Sequence, residues 1–268
     1  MLTQKPLVSV LLSVHQDAHS ELVKTLDSVV RQTYPRWELI TVDDGSIDAT
    51  HDILTDFQER YSIQVLLLKN STTLGLTKSL VCAANMAKGI YLARLDSGDE
   101  FEADKLSQQV AFLEAHPNYG IVGCNYINTL FPEGASRKYR LPETDSAIRK
   151  TIVKKNPFAH SCVLLRTSAY EKVGGYDPAI RYGQDYDLWF RMLTLAKAAN
   201  LPDFLCRRTI HKGSISYQKQ RAQMFQCVKT QWKYMDKTNP LHYAYLLEPL
   251  LLAAMPQQAT RGLRSLLR

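Results

Sequence analysis

Residues 37–60, WELITVDDGSIDATHDILTDFQER, contain in order an apolar segment, an acidic loop and an amphipathic segment. The run WELITV at 37–42 is rich in β-branched and aromatic residues and predicts a strand, while DATHDILTDFQER at 48–60 predicts a helix. The same alternation occurs on both sides of this stretch, in LVSVLLSV (7–14), SELVKTLDSVVRQ (20–32), IQVLLL (63–68), GLTKSLVCAANMAKG (75–89) and IYLARL (90–95). Alternation at this spacing predicts an α/β fold, with a mostly parallel sheet flanked by helices.

Two acidic segments follow predicted strands, VDDGS at 42–46 and LDSGDE at 95–100. The carboxyl ends of parallel strands share one edge of a sheet, and ligands bind just beyond that edge. A single aspartate in such a loop commonly caps a helix or forms a turn, which is the alternative interpretation of each segment. Two acidic loops on one edge favour a ligand, because carboxylates brought together repel unless a cation or hydrogen-bond donors are supplied. Mg²⁺ and Mn²⁺ are cations that commonly join protein carboxylates to substrate phosphates.

The second half of the chain is less regular. The segments YGIVGCNYI (119–127), SCVLLR (161–166) and PDFLCRRTIH (202–211) predict strands, and QDYDLWFRMLTLAKAA (184–199) predicts a helix. After Gly213 the composition changes to the Gln, Lys, Met and Leu that are typical of helices. We therefore expect one domain over residues 1–215 and a basic helical C-terminal extension over residues 216–268.

The net charge of +7 is confined to the C-terminal part of the chain. From His211 onward there are nine Lys or Arg and two acidic residues, whereas the 24 bases and 24 acids of residues 1–210 cancel. A basic segment with Leu and aromatic residues suits an anionic membrane surface or RNA, and a solvated helical face is the simplest alternative. We expect no nucleic acid partner, because the globular part is neutral, and retain membrane contact and a solvated helix as the two interpretations.

The cysteines and the apolar runs indicate the compartment. Five widely spaced cysteines without a CxxC pair predict reduced, mostly buried thiols, and argue against a zinc site or a disulfide framework. The N-terminal stretch does not follow a signal-peptide pattern. The longest apolar run, YAYLLEPLLLAAM at 243–255, is interrupted by Glu248 and Pro249 and is shorter than the roughly 20 residues of a spanning helix. These features predict a cytoplasmic protein, which the basic extension would bring to the inner face of the membrane.

Six motifs occur in order along the chain: VSVLLSVHQD, SVVRQTYPRWELITVDDGSIDAT, GLTKSL, IYLARLDSGDE, NPFAHSCVLLRTSAYEKVGGYD and QDYDLWFRM. Together they resemble family 2 glycosyltransferases of the GT-A fold over roughly residues 5–215. The resemblance implies an enzyme of the hexosyltransferase type that takes a sugar from a nucleotide-sugar donor, with a UDP-sugar expected. It also implies a hydroxyl of a glycan or lipid-linked molecule as the acceptor, in surface polysaccharide biosynthesis.

The resemblance assigns candidate donor-binding residues. Asp44 falls where the family contacts the uracil of the donor, with Asp43 beside it as a second contributor. Asp96 falls where the family approaches the ribose or the metal, and Arg94 is a candidate partner for the diphosphate.

The resemblance also implies a divalent metal, Mn²⁺ or Mg²⁺. Family members often read D-x-D-D where this chain reads Asp96-Ser97-Gly98-Asp99, so Gly98 stands at a usual ligand position. The predicted metal ligands are therefore Asp96, Asp99 as a replacement, and His211, which the family's C-terminal histidine motif brings to the metal and diphosphate. Imidazole is better suited to Mn²⁺ than to Mg²⁺.

Asp185, in GQDYDLWFRM, falls where the family places its catalytic base, and Gln184 replaces a glutamate that usually precedes it. The alternative is an ordinary first turn of a helix, where the helix dipole favours acidic residues. A carboxylate at that position can accept the proton of an acceptor hydroxyl as its oxygen attacks the sugar, which predicts inversion at the anomeric carbon. His160, in NPFAHSC, is a candidate for the acceptor side.

Three other classes of protein remain alternatives at this level. A polysaccharide synthase of the same family would carry spanning helices and a QxxRW motif, and the nearest string here is TQWKY. A sugar nucleotidyltransferase would begin with a glycine-rich loop bearing Arg and Lys, and LLSVHQDAHS has no glycine. A non-catalytic nucleotide-binding or scaffold protein is compatible with the residues found at Gly98 and Gln184.

Overall fold

The computed structural model describes residues 5–17, 20–130, 134–210 and 219–254. Within these ranges the strands are β1 (Val8–Val14), β2 (Trp37–Asp43), β3 (Val65–Lys69), β4 (Tyr91–Asp96), β5 (Glu100–Phe101), β6 (Tyr119–Leu130), β7 (Ser136–Tyr139), β8 (Leu164–Arg166) and β9 (Lys197–Ile210). The helices are α1 (Ser20–Val30), α2 (Thr50–Arg60), α3 (Leu76–Met86), α4 (Lys105–Ala115), α5 (Asp145–Ile152), α6 (Thr167–Lys172), α7 (Gln184–Met192), α8 (Gln220–Tyr234) and α9 (Pro240–Ala254). A short 3-10 helix spans His160–Cys162.

The continuous apolar sequence of β1 results from burial on both faces of the sheet. Side chains alternate along a strand, so Val10 and Leu12 belong to the core under α1 and α4, whereas Leu11 belongs to the core on the other face. Leu80 of α3 and Leu188 of α7 are buried in that second core. Helices thus cover the sheet on both faces, as the alternating pattern predicts.

The sheet order is β3-β2-β1-β4-β8-β6-β9-β5, with β7 paired to β6. The neighbours β3, β2, β1 and β4 are parallel, β8 is antiparallel to both β4 and β6, and β6 and β9 are parallel. The register sets Val14 opposite Asp43 and Ser13 opposite Asp96. The two acidic segments therefore leave the same edge, which confirms the predicted placement.

The predicted helix over residues 184–199 is too long. α7 ends at Met192, and Lys197 already begins β9. Residues 197–200 pair with the start of β6, where Ala198 lies opposite Ile121 and Asn200 opposite Gly123. Pairing with a neighbouring strand overrides the helix propensity of Leu, Ala and Lys in this segment. The predicted strand over residues 202–211 is the later part of the same strand, which the structure describes up to Ile210.

The five cysteines are free thiols, and three of them, Cys124, Cys162 and Cys206, are completely buried. Their sulfur atoms lie within 4.8 Å of one another in the core formed by β6, β9 and the 3-10 helix. The Cys206 thiol donates to the Ser161 carbonyl at 3.2 Å, so this core lies directly behind Ser161.

The C-terminal helices α8 and α9 pack against each other, and α8 also packs against α7. Lys233 Nζ and Tyr234 Oη both donate to Asp187 Oδ1, at 3.0 and 2.8 Å. The Gln231 side-chain amide donates to the Lys154 carbonyl at 2.7 Å. The boundary expected near residue 215 lies outside the described residues. None of the helices in the described ranges combines the length and the apolar character needed to cross a bilayer.

Candidate active site

Asp44 follows β2 and holds the loop that leads into α3. Its Oδ1 accepts hydrogen bonds from the Leu74 N–H and the Asn70 amide, and its Oδ2 accepts one from the Gly75 N–H, each at 2.8 Å. Burial opposes ionisation, but these donors outweigh it, so the pKa of Asp44 lies below its ordinary value. A carboxylate has about four acceptor sites, which leaves Asp44 ionised, fixed in place and able to accept one more hydrogen bond.

Asp43, the last residue of β2, is completely buried. Its Oδ1 accepts a hydrogen bond from the Ser46 N–H at 2.9 Å, and its Oδ2 lies 3.0 Å from His51 Nδ1 and 4.0 Å from Lys69 Nζ. These contacts fix the turn that carries Asp44. The uracil contact assigned to Asp43 remains a prediction.

Asp96 ends β4 and is joined to Arg94 on the same strand. Arg94 Nη2 donates to Asp96 Oδ1, and the Ser161 hydroxyl lies 2.9 Å from Asp96 Oδ2. The side chain of Arg94 is 2% exposed and that of Asp96 is 31% exposed, so the carboxylate faces the surface and the guanidinium lies behind it. Burial opposes ionisation of Asp96, but the charges of Arg94 and of nearby His160 and Arg208 lower its pKa to about 2.

Asp99 lies deeper than Asp96 and links the acidic loop to the end of β9. Its Oδ2 lies 2.5 Å from the Ser161 hydroxyl and accepts a hydrogen bond from Arg208 Nε at 3.3 Å, while Oδ1 accepts one from the Thr209 N–H at 3.2 Å. Burial raises the pKa of Asp99 to about 6, against the opposing charge of Arg208 and with a further contribution from Asp96. Asp99 therefore fixes the strand that leads to His211, which lies outside the described residues.

Gly98 makes the turn between these two aspartates. The Asp99 N–H donates to the Asp96 carbonyl at 3.1 Å, which closes a four-residue turn with Gly98 in third position. Gly98 has φ +86°, a value that favours glycine at that position. A side chain at Gly98 would meet no atom within 4 Å, so the conformation of the backbone and not crowding favours glycine there. The glycine separates Asp96 at the surface from Asp99 in the interior.

Asp185 lies in the first turn of α7, which begins after Gly183 in a left-handed conformation. The Asn156 side-chain amide donates to Asp185 Oδ2 at 2.7 Å, and Asn156 Oδ1 accepts a hydrogen bond from the Phe158 N–H at 3.1 Å. The second bond fixes which end of the amide faces Asp185. The carboxylate is half-buried and keeps acceptor capacity for a further proton donor.

His160 is a buried link between the two acidic parts of the site. Its Nε2 is 2.7 Å from the Tyr176 hydroxyl, and its neighbour Ser161 contacts Asp96. Burial, with Arg94, lowers the pKa of His160 to about 4 despite nearby carboxylates. His160 is therefore neutral at pH 7, and its contact with Tyr176 joins residues 160–162 to the segment VGGYD at 173–177.

Four residues at this edge were not predicted from the sequence: Ser161, Arg208, Asn156 and Asp17. Ser161 and Arg208 hold Asp99, Asn156 orients Asp185, and Asp17 accepts a hydrogen bond from the Ser97 hydroxyl. Asn156 and Ser161 lie within the quoted motif NPFAHSC, so that motif was the available signal. Asp17 likewise ends the quoted motif VSVLLSVHQD, whereas Arg208 lies outside the six motifs.

The acidic edge fits a divalent cation. Asp96 offers an ionised oxygen at the surface, and one or two carboxylates together with substrate phosphates are a usual ligand set for Mg²⁺. Asp99 already accepts three hydrogen bonds, so its oxygens have less capacity left for a metal. Among the described residues, no three carboxylate or imidazole ligands of this edge converge as a metal cage would require. Phosphate oxygens of a bound donor would have to complete the coordination.

The mostly parallel sheet with acidic loops at its carboxyl edge is the architecture of glycosyltransferases with the GT-A fold, and the comparisons with known proteins assign the chain to that class. The chain matches the model of glycosyl transferase family 2 over residues 9–174, and it belongs to this family.

Three relatives of the chain are named as glycosyltransferases. EpsE of Bacillus subtilis, a glycosyltransferase by name, is 31% identical over 94% of this chain and 90% of its own length. The amylovoran biosynthesis glycosyltransferase AmsE of Erwinia amylovora is 30% identical over 87% of this chain and 84% of its own. The Escherichia coli enzyme WfaP, named UDP-Glc:alpha-D-GlcNAc-diphosphoundecaprenol beta-1,3-glucosyltransferase, is 29% identical over 80% of this chain and 81% of its own.

Two solved structures share the fold at low identity. TarS of S. aureus in complex with UDP-GlcNAc has a TM-score of 0.69 and 18% identity, over 91% of this chain and 71% of that one. The mannosyltransferase PcManGT of Pyrobaculum calidifontis, with GDP-Man and Mn²⁺, has a TM-score of 0.67 and 19% identity, over 96% of this chain and 72% of that one. One of these relatives is thus named for amylovoran biosynthesis, and both solved structures are complexes with a nucleotide sugar.

Proposed function

We propose that the protein is an inverting glycosyltransferase that moves a sugar from a UDP-sugar to a hydroxyl of a glycan or lipid-linked acceptor in surface polysaccharide biosynthesis. The observation that carries the proposal is that one short segment, residues 156–161, contacts both carboxylates. Asn156 at its start donates to Asp185 at 2.7 Å, and the Ser161 hydroxyl at its end lies 2.9 Å from Asp96, so the proposed acceptor and donor carboxylates are held by the same segment.

The donor half of the proposal rests on Asp44, Asp96 and Arg94. Asp44 is ionised and has an acceptor site left, which suits the imide N–H of uracil, and Asp43 supports it from behind. Asp96 faces the ribose and diphosphate, while the buried Arg94 keeps it ionised. A divalent cation would neutralise diphosphate charge when bound, and Asp96, Asp99 and His211 are the residues proposed to hold it. The UDP-Glc in the name of WfaP and the UDP-GlcNAc bound to TarS support a UDP-sugar.

The transfer step rests on Asp185. Its carboxylate accepts the proton of the acceptor hydroxyl as that oxygen bonds to the anomeric carbon, and the bond between that carbon and the diphosphate oxygen breaks on the opposite face. The electron pair of the broken bond leaves with UDP, and the configuration at the anomeric carbon inverts. Asn156 donates to Asp185 Oδ2, and we assign the role of proton acceptor to the other oxygen, Oδ1.

The acceptor and the site of action are inferred from relatives. WfaP is named for a diphosphoundecaprenol-linked sugar acceptor, and AmsE for amylovoran biosynthesis. We infer a lipid-linked or glycan acceptor at the cytoplasmic face of the membrane, with the basic extension in contact with the surface and residues 1–215 as the catalytic domain.

A screen of nucleotide sugars by thermal stabilisation, in Mn²⁺, Mg²⁺ and chelator, tests the donor class and the metal together. With the donor identified, Asp185→Asn should lower turnover about 10²-fold to 10⁴-fold with little change in donor affinity. Asp203→Asn, a change at an exposed aspartate in the middle of β9, is the matched control and should keep wild-type turnover. Full turnover by Asp185→Asn, or retention of configuration in the product, would refute the proposed mechanism.

A further inference from the structure

The C-terminal helical hairpin, α8 and α9, exposes large apolar side chains to an unusual degree. Of the fifteen exposed large hydrophobic residues in the described part of the chain, seven lie on these two helices. Six of them form what we call the apolar stripe: Phe225, Trp232, Tyr243, Leu247, Leu250 and Leu251. Leu247 and Leu251 are 58% and 64% exposed, in contrast to the neighbouring Leu246, which is 7% exposed.

The spacing places these residues on one continuous face. Phe225 and Trp232 are seven residues apart on α8, and Tyr243, Leu247 and Leu251 follow at intervals of four on α9, so each set lies on one side of its helix. Trp232 and Tyr243 contact edge to face with ring centroids 6.1 Å apart, which joins the two sets. The stripe is therefore one surface that runs across the hairpin.

The lysines near the stripe indicate whether a protein or an anionic lipid surface is the more suitable partner. Lys229 is exposed between Phe225 and Trp232 on the same face, and Lys237 Nζ lies 5.4 Å from the Trp232 ring centroid. Residues 219–254 contain five Lys or Arg and two acids, and residues 255–268 add three Arg and no acid. A lysine in the middle of an apolar interface between proteins is unfavourable, since charged residues are depleted there. At an anionic lipid surface the same amine can reach the headgroups while apolar neighbours enter the acyl boundary.

We propose that the apolar stripe and its flanking lysines bind the surface of an anionic lipid bilayer. The arrangement of Trp and Tyr beside Leu and Lys is the one expected at the boundary between headgroups and acyl chains. This inference rests on the proposed function, because a lipid-linked acceptor is the reason for the enzyme to bind a membrane. It deepens that function by assigning the membrane contact to an apolar surface as well as to positive charge.

The bound hairpin would orient the active site, because α8 is fixed to the helix that carries Asp185. Asp187 lies two residues after Asp185 on α7 and accepts hydrogen bonds from Lys233 and Tyr234 of α8. The Tyr234 ring also stacks on Phe190 of α7 at 4.8 Å. Membrane contact at the stripe would therefore set the position of α7 relative to the lipid surface.

Co-sedimentation of the full chain with phosphatidylglycerol–phosphatidylcholine vesicles, without nucleotide sugar or acceptor, tests the proposal. Leu247→Ser/Leu251→Ser should weaken binding about tenfold or more, because two leucines lose their transfer into the lipid boundary. Lys229→Glu/Lys237→Glu should weaken binding to these vesicles by a similar factor, and high salt should weaken wild-type binding. Both pairs are exposed, so the melting temperature should stay close to that of the wild type.

The matched controls remove equivalent groups elsewhere. Ile63→Ser/Leu195→Ser removes two exposed aliphatic side chains outside the hairpin, and Lys150→Glu/Lys172→Glu reverses two exposed lysines. Both controls should bind vesicles like the wild type. The proposal is overturned if the wild type stays in solution, if the Leu247/Leu251 variant binds equally well, or if that variant instead dissociates a wild-type dimer. Vesicle binding without any transfer activity would refute the proposed function and leave this surface assignment standing.

Discussion

At the scale of single residues, Ser161 is the junction of the site. Its hydroxyl lies 2.9 Å from Asp96 and 2.5 Å from Asp99, and the Asp96 N–H donates to it at 3.2 Å. A hydroxyl has one proton to share between two carboxylates, so it holds them together most readily when one of them is protonated or otherwise compensated. Arg94 compensates Asp96, and Arg208 compensates Asp99.

Asp99→Asn should damage the protein more than Ser97→Ala. The change leaves the Arg208 guanidinium, which is 24% exposed, without its carboxylate partner. Breaking such a pair, with a discount for that exposure, should lower the unfolding free energy by roughly 2 to 3 kcal/mol. Ser97→Ala removes a hydrogen bond to the partly exposed Asp17, which we expect to cost about 1 kcal/mol or less. Urea denaturation of both variants checks this order. Equal losses would show that Asp99 does not anchor the end of β9.

The aspartates of the candidate site and their arginine partner Arg208 show how much of the site could be predicted from the sequence. Asp44, Asp96 and Asp185 could be named from the sequence because they stand in quoted motifs, and their roles remain predictions. The structure places Asp44 and Asp96 at the carboxyl edge of the sheet and Asp185 in the first turn of α7. Arg208 could not be found, because its partner Asp99 is 109 positions away and an arginine in CRRTIH looks like a surface residue. The contact exists only because β5 pairs with β9, and a two-residue strand has no detectable sequence pattern.

At the scale of elements, α7 is the helix on which the site and the C-terminal hairpin meet. Asp185 is on one side of its first turn, and Asp187 is buried on the other with Arg191, Lys233 and Tyr234 as its donors. Burial opposes ionisation of Asp187, but these donors prevail and lower its pKa below the ordinary value. The acidic residues of this first turn thus have separate contacts: Asp185 is held by Asn156, and Asp187 is held by Arg191 and by α8.

The stability contributed by Asp187 should depend on pH in a defined direction. Because the pKa of Asp187 is lower in the folded chain than in the unfolded chain, its contribution is full above about pH 4 to 5 and disappears as the pH falls through the folded pKa. Asp187→Asn should therefore lose about 2 kcal/mol of unfolding free energy at pH 7, discounted for the half-exposed Lys233. The difference from wild type should shrink below pH 4.

Denaturation of wild type and Asp187→Asn between pH 3 and pH 7 checks this prediction, with Asp203→Asn as the exposed control. A difference that stays constant, or grows toward acid, would show that the lowered pKa of Asp187 does not contribute to folding.

Helices and strands were predicted well where one hydrophobic periodicity extends over the whole element. They were predicted poorly where pairing with a distant strand determines the secondary structure. The strand and helix alternation of residues 7–95 predicted β1 to β4 and α1 to α3, because each strand is buried on both faces and reads as a continuous apolar run. Residues 193–200 have a helical composition, but residues 197–200 pair with β6, and no local sequence pattern predicts that pairing. α4 and α5 were not predicted, although α5 has a threonine cap at Thr144 that could have been recognised.

At the scale of the whole molecule, the order of strands beyond β4 could not be predicted. β8 is the second-last strand in the described part of the chain but pairs beside β4, and β6 lies on its far side. Because β8 lies between β4 and β6, the 3-10 helix that precedes β8 and contains His160 and Ser161 packs against β4. The candidate active site thus forms where strands from the first half of the chain pair with strands from the second half. Local sequence patterns do not predict this pairing, whereas the resemblance to a known family does.

Truncation tests whether the C-terminal hairpin is part of the folded catalytic unit. A chain ending at residue 215 lacks Met224, Met235 and Leu246, each at most 8% exposed, and leaves Asp187 without two of its donors. Each buried Met or Leu contributes about 1.5 kcal/mol or more, so we expect this fragment to lose several kcal/mol of unfolding free energy and to melt well below the full chain.

A chain ending at residue 254 is the matched control, since it keeps α8, α9 and every contact named for them. The two fragments separate the structural role of the hairpin from the charge of residues 255–268, because the longer fragment loses three arginines and no described packing. Equal melting temperatures for the shorter fragment and the full chain would mean that residues 1–215 fold independently, and that Asp187 is satisfied by Arg191 alone. The expected result, a large loss confined to the shorter fragment, would make the hairpin a structural support of α7 and hence of Asp185.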